Sequence, residues 1–187
     1  MRADIVPGAH FPDFVLPDER GVRHRLSTLQ GEDPMVLHLS RGEHCPRERQ
    51  MHHELLRFHE WCAVAYTSLV SILPNDQHET SKLKLSTGAN WTFLADEDLH
   101  VQTELDIREY TDTHHAATVP YTLVLAPGLV VDKLYCGYWF WGRPSVFDLW
   151  SDLRDLNRRI RPDFDPLVPE VRDAYLAAVG GAGRGGR

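Results

Sequence analysis

Between Met35 and Leu125 short apolar runs alternate with stretches of helical spacing, and this alternation restricts the fold more than any other feature of the chain. Residues 35–39 form an apolar run of strand length. Residues 46–61 follow with helical periodicity: Met51, Leu55, Phe58 and Cys62 fall at i, i+4, i+7 and i+11, one face of a helix. Residues 63–73 are rich in β-branched and aromatic side chains and stop at Pro74-Asn75-Asp76, a turn that also starts a helix. Residues 77–85 read as a short polar helix, 91–94 as a brief strand and 98–107 as another short helix. A strand over 121–125 follows Pro120, and Pro127-Gly128 turns it into a second strand over 130–139, expected antiparallel to the first. Residues 146–160 form the last long helix, with Val146, Leu149, Trp150, Leu153, Leu156 and Ile160 as its apolar stripe and Ser145 as its N-cap. Ahead of all this, residues 11–27 read as two short strands around Glu19-Arg20-Gly21.

Successive strand–helix–strand units put parallel strands at the centre of a sheet with helices on both faces, and the closing hairpin and helix complete the layers. The order predicts an α/β domain of thioredoxin-like layout over residues 1–162: a central mixed sheet flanked by helices, with an N-terminal β-hairpin. Residues 163–187 read as a C-terminal extension, with a short helix over 171–179 and a Gly/Arg-rich end over 180–187 expected to be disordered. A chain of 187 residues suits one domain with a sizeable core. The net charge of −7 disfavours a nucleic-acid or anionic-membrane partner. No apolar run approaches the roughly 20 residues of a membrane-spanning helix, and the opening M-R-A-D-I-V-P-G lacks the apolar core of a signal peptide. The expected location is therefore the cytoplasm. Three cysteines, odd in number and widely spaced, argue against a disulfide framework and are expected to rest as thiols.

Cys45 stands where the first long helix should begin. Pro46 fits the first helical position, where its missing N–H costs nothing, and Glu48 is at the reach-back position of a capping box. The free N–H groups of the helix start and the cationic neighbours Arg41, Arg47 and Arg49 favour the thiolate, the nucleophilic form of cysteine. His44 adds a titratable neighbour. A buried, inert cysteine would sit in apolar company; the flanks of Cys45 are polar and cationic, so a reactive thiol is the preferred reading. Cys62, on the apolar face of its helix, and Cys136, inside a strand, read as packing residues. Either is a candidate resolving thiol should the fold bring it close to Cys45.

These residues resemble a known family. The N-terminal V-P-G-x-x-F-P-D-F-x-L-P-D-E-R-G, the strand before R-G-E-H-C-P-R-E, the T-V-P-Y-T strand and the closing G-R-P-S-x-x-x-L look like the alkyl hydroperoxide reductase/thiol-specific antioxidant group, peroxiredoxin-like, over about residues 6–162. Cys45-Pro46-Arg47-Glu48 matches the C-P-x-E that carries the peroxidatic cysteine. The resemblance implies a thiol-dependent oxidoreductase that reduces a hydroperoxide or disulfide through Cys45, regenerated by an external thiol. Its partners would be a small peroxide or thiol substrate and an external thiol reductant, without a cofactor or metal; a homodimer is compatible with it. Arg41, His44 and Pro120 would stand beside Cys45 as catalytic neighbours, and Gly42, Glu43, Arg47, Arg49, His114 and His115 would line the substrate site.

The chain also departs from that pattern. Gly42 stands where the family places a hydroxyl residue, His38 replaces a proline, and Glu48 replaces the second cysteine of the R-G-x-x-C-P-x-C branch. Val119-Pro120 takes the place of the arginine that precedes the later strand, as in thioredoxins, where the proline is cis. One of Arg41, Arg47 or Arg49 would have to supply the missing charge. A thioredoxin-fold enzyme repurposed for a non-peroxidase reaction on a specialised metabolite, and a non-catalytic redox sensor or binding module, are the competing readings, because a fold does not fix a function.

Other motifs are bland. His52-His53 and His59 read as a solvated helix face, since no H-E-x-x-H or C-x-x-C occurs. His114 and His115 lie in the loop towards Pro120, at the Cys45 end of such a sheet, where one could act as a base. The aromatic run 138–141 reads as core on one face and a dimer patch or substrate rim on the other.

Overall fold

The structure, a computed structural model, describes residues 1–139, 141–162 and 168–182. Along the chain run β1 (Val15–Pro17), β2 (Arg23–Arg25), α1 (Leu26–Gln30), β3 (Met35–Leu39), α2 (Pro46–Val64), β4 (Ser68–Leu73) and α3 (Gln77–Thr87). Then come β5 (Thr92–Ala95), α4 (His100–Glu104), β6 (Tyr121–Ala126), β7 (Val130–Cys136), α5 (Val146–Ile160) and α6 (Pro169–Ala182). β1 and β2 form the expected antiparallel hairpin. The other five strands make one mixed sheet in the order β5-β4-β3-β6-β7, with β3, β4 and β5 parallel and β6 and β7 antiparallel to their neighbours. This is the thioredoxin-like layout that the element order predicts.

The central strands are covered on both faces, which is why β3 is buried at all five positions. One face packs under the N-terminal segment, α1 and α4, through Phe11, Phe14, Leu26, Val101 and Leu105. The other packs under α2, α3 and α5, through Met51, Leu55, Phe58, Leu83, Leu149 and Leu153. The α2 stripe buries as its spacing predicts, each large side chain contributing about 1.5–3 kcal/mol. Ser145 caps α5 in a reciprocal box: Asp148 N–H donates to Ser145 Oγ, and Ser145 N–H donates to the Asp148 carboxylate.

Element ends depart from the sequence pattern. α2 continues to Val64 and β4 begins only at Ser68, because Tyr66 takes a left-handed turn (φ 48°) between them. Leu26–Gln30 is helical rather than the end of a strand, α4 is confined to His100–Glu104, and β7 stops at Cys136. α6 begins at Pro169 and runs to Ala182, so residues 180–182, expected to be disordered, belong to a helix. Residues 183–187, where the rest of that expectation falls, lie outside the described residues, as does Phe140 of the aromatic run.

A buried polar row crosses the sheet beneath α2. Strand register places Thr122, His38 and Ser71 side by side on β6, β3 and β4, and all three are buried. α2 covers them with Glu48 and His52, one turn apart and both fully buried. His52 is therefore interior, a correction to the solvated helix face expected for it; His53 alone of that pair is exposed. The hydrogen-bond direction is fixed by its ends. His52 Nδ1 lies 2.7 Å from the Glu48 carbonyl, which can only accept, so Nδ1 carries the proton. Nε2 then accepts from the Ser71 hydroxyl (3.2 Å), which itself accepts from Trp91 Nε1 (3.0 Å).

Burial, with the nearby charge of His38, pushes the His52 imidazole down to about 4. The ordinary value is about 6.5. As pH falls below 6.5 the unfolded chain takes up this proton first, so stability is lost between pH 6.5 and 4. Between pH 7 and pH 5 this one group removes about 2 kcal/mol. Urea unfolding at the two pH values should show that loss in the native chain and a smaller one in His52→Gln; equal losses would mean that His52 is not held neutral.

Candidate active site

Cys45 is the N-cap residue of α2, with Pro46 in the first turn. Backbone hydrogen bonds hold the turn: Cys45 N–H donates to Gly42 O (3.2 Å) and Glu48 N–H to Cys45 O (3.0 Å). The residue is only 4% exposed. Its thiol opens onto a cleft of about 560 Å³ lined by Arg41, Pro46, Arg47, Glu109, Pro120, Gly137, Tyr138 and Arg143. The cleft is walled by the end of β3, the start of α2 and the segments flanking β6 and β7. These converge because β3 and β6 are adjacent central strands.

Arg41 is the cation at the sulfur. Its Nη1 lies 3.9 Å from Cys45 Sγ. The rest of the guanidinium is clamped by acids of the loop after α4, with Nε to Glu109 at 2.5 Å and Nη2 to Glu109 and Asp112 at 3.0 and 3.3 Å. The hydrogen bonds to Glu109 outweigh burial and raise the Arg41 value further, so the charge is permanent. Burial would lift the Glu109 carboxyl; the bonds from Arg41 and Thr111 hold it below its ordinary value. Thr118 N–H donates to Arg41 O (3.2 Å), which ties this loop to the strand end.

His44 points to the other side of the turn. Its ring stacks on His115 at 3.7 Å with planes 2° apart, and both imidazoles approach Asp112, at 3.5 Å from His44 Nε2 and 3.1 Å from His115 Nδ1. The backbone N–H of His114 leads the groups that hold Asp112 down, to about 2. Burial first, then the charges of His115 and Arg41, lower the His44 value. Gly42 is left-handed (φ 134°), and a Cβ there would meet the His44 ring at 2.9 Å. The imidazole thus occupies the space that a side chain at Gly42 would need. Gly42, Glu43, His44 and His115 line a separate, smaller cleft of about 170 Å³. His44, Asp112 and His115 offer three metal-ligating atoms within 4.8 Å of one another. With the two rings parallel their lone pairs do not converge, and one ring must turn before both could meet one ion.

Glu48 does not reach back to cap α2; no side chain caps this helix. It turns inward instead, where His38 Nε2 donates to one carboxylate oxygen at 2.8 Å and Arg143 Nη2 bonds the other. Burial would drive this carboxyl up, but the charges and hydrogen bonds of His38 and Arg143 hold it far below the carboxylate range. His38, Glu48 and His52 also carry ligand atoms within 4.8 Å of one another, and every nitrogen of the two rings already has a hydrogen-bond partner.

The remaining predicted residues separate into those the fold gathers and those it does not. Arg47 and Pro120 line the Cys45 cleft. The Val119–Pro120 peptide is trans rather than cis. Arg49 is drawn to Glu43 (2.5 Å), which Lys82 also holds (3.1 Å), and neither lines the Cys45 cleft. His114 contributes its backbone N–H to Asp112 from an exposed position. Cys62 lies 17 residues further along α2, on the order of 25 Å from Cys45 at 1.5 Å per residue. That exceeds the span of a disulfide, and burial pushes the Cys62 thiol up to about 12. Cys136 packs towards the opposite layer of the core, against the α1 and α4 side. All three cysteines are free. Sequence reasoning missed Glu109, Asp112, His38 and Arg143 as parts of the site. The one available signal for Arg143 was its place in G-R-P-S; the two acids had none beyond sitting in the loop that leads to Pro120.

Comparisons with known proteins bear on the family and the fold. A family model described as the AhpC/TSA family matches residues 7–133. A comparison with curated proteins found no match. Among solved structures, the peroxidoxin BcpB of Mycobacterium tuberculosis is similar with a TM-score of 0.68 and 20% identity, covering 83% of this chain and 97% of that one. Peroxiredoxin 5 of Alvinella pompejana matches with a TM-score of 0.70 at 11% identity, over 81% of this chain and 99% of its own. Reduced Prx3 of Vibrio vulnificus, in complex with hydrogen peroxide, matches with a TM-score of 0.63 at 19% identity, over 70% of this chain and 86% of its own. At these identities the structures speak for the shared fold, while the family model spans most of the domain that carries Cys45: the chain belongs to the AhpC/TSA family.

Proposed function

We propose that this protein is a one-cysteine thiol peroxidase, with Cys45 as nucleophile and an external thiol as reductant. The observation that carries the reading is Arg41 Nη1 at 3.9 Å from Cys45 Sγ, in a cleft at a helix N-terminus. Family membership and the peroxide-bound Prx3 among the similar folds support it. In the first step the Cys45 thiolate attacks the terminal oxygen of a hydroperoxide. The O–O bond breaks, the sulfur loses two electrons, and the leaving oxygen departs with a proton as alcohol or water, which leaves a sulfenic acid. A reductant thiol then displaces water to form a mixed disulfide, and a second thiol frees Cys45.

Arg41 takes the role of the arginine absent before β6. Its guanidinium faces the sulfur and the negative charge that develops on the leaving oxygen. Glu109 and Asp112 fix the fork and leave the Nη1 edge pointing at Cys45. The placement of Cys62, far along α2, supports an external resolving thiol over one on that helix.

Reduced protein exposed to hydrogen peroxide and a sulfenic-acid-trapping diketone should gain the adduct at Cys45 by mass spectrometry. Cys45→Ser should lose peroxide consumption, while Cys62→Ser and Cys136→Ser keep it. An unmodified Cys45, with native consumption by Cys45→Ser, would sink the proposal. Arg41→Met should slow peroxide consumption by about a hundredfold, the scale for loss of one aimed donor at developing charge. Arg41→Lys should recover part of that, because the charge survives but the fork to Glu109 does not. Stopped-flow peroxide kinetics separates the three; equal rates in all would remove Arg41 from the mechanism.

A further inference from the structure

Four of the five tryptophans stand out in solvent, and two of them flank a groove between α2 and α5. The groove measures about 640 Å³. Trp61, Val146, Phe147 and Trp150 form its floor, and Glu54 and Arg57 form its polar rim. Trp61 is 51% and Phe147 80% exposed. The far end of the chain offers a matching surface. α6 carries Val171, Tyr175 and Val179 at i, i+4 and i+8, with Leu176 beside them, one apolar stripe. Tyr175, Leu176 and Val179 are each more than half exposed. A helix of 14 residues with Gly180 and Gly181 near its end is marginal in water without a surface to pack on.

Within one chain most of the groove and of the stripe is open to solvent, with Val146 and Val171 half-buried, so the chain does not close this contact on itself. We propose that α6 of a second copy of this chain occupies the α2–α5 groove, and that the exchange is reciprocal, which makes the protein an arm-exchanged homodimer. An amphipathic helix laid in an apolar groove is a recurrent mode of recognition, and a twofold axis lets each copy give one helix and receive one. The rim supplies one charge of each sign, and the first turns of α6 supply Glu170, Arg172 and Asp173 to meet them. At roughly 150–250 Å² per aromatic side chain, the exposed parts of the groove rings and the α6 stripe come to on the order of 600 Å² per chain. With flanking residues this approaches the ~800 Å² per partner of a stable interface.

Sedimentation equilibrium of the full chain across a wide range of concentration tests the proposal. The expected species has twice the chain mass of 21.4 kDa. Phe147→Asp in the groove and Leu176→Asp on α6 should each weaken the dimer at least about tenfold. Val22→Asp, an equally exposed apolar position on the hairpin, should not. Circular dichroism and the thermal midpoint of each variant establish that it is folded. A monomer at every concentration overturns the proposal, including one whose tryptophan emission shifts on Leu176→Asp, which would place α6 in its own groove. A dimer indifferent to both the Phe147 and Leu176 substitutions overturns it as well.

Discussion

The buried carboxylate of Glu48 is the constraint around which the site is built. A fully buried anion is destabilising by several kcal/mol unless its partners meet it with good geometry, and here they come from two distant parts of the chain. His38 reaches it from the centre of the sheet, and Arg143 reaches it from the segment between β7 and α5. The triad therefore pins the first turn of α2 between a central strand and the wall of the Cys45 cleft. Cys45 lies three residues before Glu48 on that turn, so its sulfur inherits a fixed position. Loss of either partner would leave the anion uncompensated and free the turn, which makes this contact more expensive to break than any surface ion pair in the chain.

Of the three arginines that line the cleft, two have distinct tasks. Arg143 spends its guanidinium on Glu48 and holds the scaffold, whereas Arg41 keeps one edge for the sulfur. What makes that edge reliable is the acidic loop after α4. Glu109 takes the fork in a bidentate pair, and Asp112 takes what remains while also receiving the backbone of His114 and His115. The same Asp112 steadies the His44–His115 stack, so one carboxylate couples the cationic side of the turn to its imidazole side. The glycine in place of a hydroxyl follows from this arrangement. The chain has filled that volume with the His44 ring, and a left-handed backbone with no Cβ is the conformation that allows it.

Much of the fold was legible because its signals are periodic. The stripe of α2, the apolar β3 run and the capping residues of α5 each speak through local spacing, and the element order then admits few topologies. The site was legible only where a local signal existed: a cysteine before a proline at a helix start. Glu48 illustrates the limit. Its spacing from Cys45 is that of a capping box, but a buried cation partner 95 residues away outcompetes the local bond, and no local rule reports such a partner. His52 fails for a related reason. A histidine on a helix reads as polar, and only strand register reveals the row of Thr122, His38 and Ser71 that makes an interior place for it. Glu109 and Asp112 depend on a loop whose path is set by tertiary contacts, so the sequence holds no period that could point to Arg41.

The geometry also bears on how a lone thiol is used. Cys62 is fixed about five helical turns from Cys45 by α2 itself, roughly 25 Å, and the helix would have to melt before the two could meet. Cys136 belongs to the other layer, although its neighbour Gly137 lines the Cys45 cleft. Cys62 stays where it is because α2 packs on the buried sheet, among the parts of the molecule that open least. On the reading proposed above, whatever reduces an oxidised Cys45 would approach through the cleft, past Arg47 and Tyr138. α2 closes the internal route through Cys62, and on the reading proposed above the surface beside the mouth is where selectivity for a reductant would be set.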